Sequence, residues 1–156
     1  MKVSSIKKNS LFISVALVFI CSQSFAEITT KSTEPLVAYE IMEEVSKYMQ
    51  IISDAISRED WVQVKKTALQ IANQRQPPFS EKIRIVAFIG TDLSRFKSLD
   101  AKKQAIAHAL AESAARKDDD AVIADFAALE NICLECHQIF LKPFQNHFYG
   151  EREEYR

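Results

Sequence analysis

Between Val122 and Phe140 the apolar residues Val122, Phe126, Leu129, Cys133, Cys136 and Phe140 step four, three, four, three and four positions along the chain. Three and four residues bracket one helical turn, so this spacing is the seam of a helix packed against others along its length. An earlier stretch repeats the intervals: Ala38, Met42, Val45, Met49, Ile52 and Ile56, widened by Ile41, Tyr48 and Ala55. Only two glycines and four prolines occur among 156 residues, so little interrupts helical structure. The expected fold is all-α, an antiparallel four-helix bundle with a long crossover between the second and third helices.

The first helix is expected to start around Thr33-Glu34-Pro35, with proline in its first turn, and to run to about Ser57. After a short polar break, Asp60 caps a second helix whose inner stripe is Trp61, Val64, Ala68 and Ile71. So short a connection makes the two antiparallel neighbours. Pro77-Pro78 stops the second helix by about Arg75. The apolar stretch 79–97 reads as the crossover, with a short helix capped by Ser80 and ending near Gly90. A third helix begins near Ser98 or Asp100 and reaches Lys117, with Leu99, Ile106, Leu110 and Ala114 inward and His108 towards solvent. Asp118, Asp119 and Asp120 then open the fourth helix as capping acids rather than a metal site. Pro143 weakens that helix, leaving Phe144 to Arg156 as a polar-aromatic tail.

Both cysteines of the seam belong to Cys133-Leu134-Glu135-Cys136-His137, which reads C-x-x-C-H, the attachment sequence of a c-type haem. The spacing has a chemical reason. Two thiols three residues apart on one helical face can form thioethers to the two haem vinyl groups, and the adjacent imidazole then meets the iron. A redox cysteine pair normally opens a helix after a strand in a βαβ context, and no such pattern is present. A zinc site needs two more ligands at finger-like spacing, whereas only His108 and His147 remain as histidines. The remaining plain reading is a pair of buried thiols. The haem is therefore expected inside the bundle, between the last helix and a facing one.

Residues 1–26 read as a secretory signal. Lys2, Lys7 and Lys8 precede the apolar run Leu11–Ile20, and Ser22-Gln23-Ser24-Phe25-Ala26 supplies small residues for cleavage. The run is short for a membrane anchor, so no stable insertion is expected after cleavage. Bulky Phe19 and Ile20 before Cys21 do not suit a lipoprotein signal. Cleavage would remove Cys21 and leave residues 27–156 as one haem-binding domain whose only thiols are the attachment pair. Bacterial haem attachment takes place outside the cytoplasm, which points to the periplasm. Removing the three signal lysines leaves seventeen basic residues against twenty-one acidic, a net charge of −4. No net basic charge or basic cluster supports nucleic-acid binding.

Four amphipathic helices with Cys133, Cys136, His137 and Phe140 in the order C-x-x-C-H-x-x-F resemble the class II cytochromes c, which include cytochrome c prime and its low-spin, methionine-ligated relatives. The resemblance covers nearly all of residues 27–156. Leu141 departs from it, since many members carry a basic residue there. The resemblance implies one covalently attached haem c with His137 on one face of the iron and Met42, early in the first helix, on the other; Met49 is the second candidate. It further implies no enzymatic activity, a one-electron carrier, periplasmic donor and acceptor proteins as partners, and a homodimer formed through helix faces. If Met42 does not bind iron, the family's other branch is implied: a five-coordinate protein that binds nitric oxide or carbon monoxide.

Overall fold

The computed structural model describes residues 36–150, all of them helix or the turns between helices. The signal segment 1–26 with Cys21, the start of the first helix at Thr33-Glu34-Pro35, and residues 151–156 lie outside the described residues. The elements are α1 (Val37–Ser57), α2 (Trp61–Ala72), α3 (Phe79–Ile89), a 3₁₀ turn (Gly90–Asp92), α4 (Leu93–Arg116) and α5 (Asp119–Tyr149).

The helices pack closely as α1 on α2, α2 on α4 and α4 on α5. Short connections make α1–α2 and α4–α5 antiparallel hairpins. The start of α1 lies beside the end of α5: the Leu36 N–H donates to Tyr149 Oη at 3.2 Å, and the Tyr39 and Tyr149 rings meet edge-on at 6.1 Å. Chain direction therefore alternates through α1, α2, α4 and α5. The all-α class is as expected, and α3 lies in the crossover between α2 and α4. α1 and α5 are not among the closely packed pairs.

The main core fills the bundle interior. Ile52, Val64, Ile71, Leu110, Val122 and Leu129 are fully buried, and removing their apolar surface from water is the principal stabilising term. A second core closes one end. Leu36, Ile85, Ile89 and Phe148 are buried there, flanked by Phe88, Phe96, Phe140 and Phe144. One carboxylate ties this end together. Glu81 of α3 is 8% exposed and accepts from the Val37 and Ala38 N–H groups at 2.9 and 2.7 Å. It thereby satisfies two free donors at the start of α1 from a different element.

Local details bear out the capping assignments of Asp60 and Asp118, overturn that of Ser80 and correct several boundaries. Asp60 accepts from the Gln63 N–H at 3.0 Å, and Asp118 from the Ala121 N–H at 3.2 Å. α2 ends at Ala72, before the prolines exert any effect, because the Asn73 side chain donates to the Leu69 carbonyl at 3.0 Å. α3 starts at Phe79, directly after Pro78, with no side-chain cap from Ser80. Gly90 ends it at φ +56°, a conformation that disfavours side chains. α4 begins at Leu93 rather than Ser98, since Leu93 and Phe96 pack on the second core and draw that turn into the helix. α5 continues through Pro143 to Tyr149. The lost hydrogen bond is offset by Phe144, Phe148 and Tyr149, which join the second core.

In urea denaturation, Leu110→Ala is expected to lower the unfolding free energy by about 2–5 kcal/mol through the cavity it leaves. Glu81→Ala is expected to lower it by about 1–3 kcal/mol, because two amides at the start of α1 lose their acceptor. An unchanged midpoint for Glu81→Ala would remove that carboxylate from the account of the fold.

Candidate functional site

α5 carries the motif, and its continuity sets the site's geometry. Asp118 caps it, with Asp119 and Asp120 in the first turn, so the acidic triplet is accounted for by the helix terminus. No group of three or more acidic, histidine or cysteine residues arranged to hold a metal ion occurs among the described residues. The buried stripe of α5 is Val122, Leu129 and Ile132. Cys133 and Cys136 flank it, half-buried and unbridged, and Cys136 packs against the main core. His137 is exposed at the edge of the same stripe. It shares an outward flank with Leu134 and Leu141, which are 57% and 42% exposed.

Met42 does not lie at the centre of the α1 seam. Ile41, Val45, Ile52 and Ala55 are the buried residues, whereas Met42 is 42% exposed and Met49 is partly buried against the main core. The widening residues Ile41 and Ala55 thus form the true inner face, and the methionines run along one flank. α2 covers the other flank, where Glu44, Tyr48 and Leu69 line an open groove of about 410 Å³. That groove holds none of the motif residues. A smaller hollow at the end of the bundle is lined by Tyr39, Lys142 and Tyr149 and also lies away from them. The structure therefore brings Cys133, Cys136 and His137 together on one helix and places Met42 on another.

The donor set suits a covalently held haem. Two reduced thiols sit three residues apart at a core edge, an imidazole projects beside them, and the flank around that imidazole is apolar and exposed. The other histidines are elsewhere. His108 is exposed on α4, and His147 stacks on Phe88 with ring centroids 4.6 Å apart at the end of the bundle.

Lys103 of α4 escaped the sequence reading. Its side chain is 11% exposed, and its ammonium pairs with Asp100 at 2.8 Å. The i, i+3 spacing was visible, but a lysine in a polar stretch reads as solvated, and only packing reveals its burial. Both thiols are held above the usual thiol range, chiefly because burial disfavours the thiolate; the Lys103 charge opposes this at each. No protein-family model, curated protein or solved structure matches the chain.

A thiol pKa raised on folding means that the folded state holds its protons to higher pH than the unfolded chain. Stability should therefore fall as pH rises through the ordinary thiol value of about 8.5. In haem-free protein, iodoacetamide labelling of Cys133 and Cys136 should show a pH midpoint above that value, displaced further upward in Lys103→Met. A midpoint at or below the free-thiol value would contradict the burial of the pair.

Proposed function

We propose that the chain is exported and matured as a periplasmic mono-haem c-type cytochrome of the class II type, acting as a one-electron carrier. The observation that carries this reading is the C-x-x-C-H sequence within an unbroken helix, with both thiols at the core edge and the imidazole free beside them. The haem would supply an iron that cycles between two oxidation states. Cys133 and Cys136 anchor it, and His137 offers its imidazole to the metal. The Met42 thioether from α1 would serve as the second protein ligand to the iron, and such a ligand raises the reduction potential. The looser approach of α1 to α5 supports a porphyrin between these two helices, because flat apolar surface is needed on both sides of it. Leu134 and Leu141 would then lose the exposure they have in the polypeptide alone.

In this role the protein needs no catalytic acid or base. It holds the ligands still, excludes water and sets the potential through axial ligands and burial. Its partners would be a donor and an acceptor in the periplasm, and the net charge of −4 expected after signal cleavage favours basic docking patches. The exposure of Met42 supports one other reading, in which the face opposite His137 stays open and takes nitric oxide or carbon monoxide.

Absorption spectra of the reduced protein test the assignment. The carrier reading predicts low-spin bands unaltered by carbon monoxide, and a Met42→Ala variant that becomes high-spin and binds the gas. A high-spin parent protein that binds carbon monoxide supports the alternative. A Met42→Ala protein that stays low-spin, together with a Met49→Ala protein that does not, moves the ligand assignment to Met49.

A further inference from the structure

Lys103 stands out among the described charged residues. Its side chain is only 11% exposed, whereas a lysine on a helix surface ordinarily extends into solvent. Here it is held in place. Asp100 takes the Lys103 ammonium on Oδ1 at 2.8 Å, and the Gln104 amide donates to Asp100 Oδ2, also at 2.8 Å. Both carboxylate oxygens are thus engaged, and Asp100 remains 35% exposed while Lys103 does not.

The register of α4 against α5 places this network beside the attachment motif. Ser113 Oγ donates to Asp125 Oδ2 at 2.6 Å near the α4–α5 turn. The two helices are antiparallel with equal rise per residue, so ten residues back along α4 from that contact match ten residues forward along α5. Lys103 therefore lies level with Glu135, between the two cysteines. The Lys103 charge acts on both thiols, and the opposing Asp100 charge acts on Cys136 only, which agrees with that placement.

We propose that Lys103, held by Asp100, is the fixed charge that tunes the reduction potential of the haem carried on Cys133 and Cys136. This rests on the haem reading above and adds a positioning residue to it. The thioethers mark the vinyl edge of the porphyrin, and the propionates leave from the opposite edge, so Lys103 is placed to act on the ring and iron rather than to bind a propionate. Reduction adds one electron, delivered by the donor protein, to an iron whose oxidised form carries one more positive charge. A nearby cation repels that extra charge and favours the reduced form; a nearby anion does the reverse. Lys103 is the more buried of the pair and so the less screened, which leaves a net positive influence.

Spectroelectrochemical titration of the haem-loaded protein and three variants tests the proposal. The midpoint potential should fall in Lys103→Met, rise in Asp100→Asn and stay near the parent value in Lys103→Arg. Opposite shifts distinguish charge from loosened packing, which would move Lys103→Met and Asp100→Asn in the same direction. Coloured variants whose potentials match the parent, or shift in one common direction, overturn the proposal and leave the haem reading standing. If Lys103→Met does not fold, Asp100→Asn decides: a raised potential supports the assignment, and an unchanged or lowered one ends it. A parent protein without covalent haem defeats both readings at once.

Discussion

α5 has to remain one continuous helix, because it carries a face of the core and, on an adjoining side, Cys133, Cys136 and His137. Its fully buried Val122 and Leu129 lock it against the rest of the bundle. The same rotation leaves Cys133 and Cys136 at the core edge and His137 outward. A turn's disruption near position 136 would misalign three functional groups together. Capping by Asp118 secures one end. The aromatic cluster secures the other, where Phe140 meets Phe96 at 5.4 Å and Phe144 meets Phe88 at 5.9 Å. With those contacts on either side, the helix continues through Pro143, a residue that normally breaks one.

The second core explains why a crossover of this composition is useful. α3 contributes Ile85 and Ile89 to the packing and Glu81 to the start of α1. The crossover therefore helps tie the beginning of α1 to the end of α5, two helices that are not among the closely packed pairs. α2 and α4 lie at the centre of the close packing, with α1 against the one and α5 against the other.

Much of this was legible in the residue pattern, and the exceptions share a physical cause. Helices with strong periodicity and a capping acid, α2 and α5, began where expected because Asp60 and Asp118 act locally. The boundaries that moved depend on distant partners. Leu93 and Phe96 are helical because the second core receives them, and Phe144 to Tyr149 are helical for the same reason. Met42 shows the limit of a seam read from spacing alone. Two neighbouring stripes, one through Ile41 and one through Met42, are equally periodic, and only the position of α2 over Glu44 and Tyr48 selects the first. The grouping of Cys133, Cys136 and His137 on one helix was legible because three- and four-residue spacing spans one helical turn. Lys103 was not, because its burial arises from α4 packing on α5.

The central claim is covalent: two thioethers join a porphyrin to α5. Intact mass of the exported protein under denaturing conditions tests it most directly. The account predicts a mature chain beginning after Ala26 with the mass of one haem added, and a Cys133→Ala, Cys136→Ala protein at the mass of the polypeptide alone. An exported parent protein at the bare polypeptide mass would contradict it.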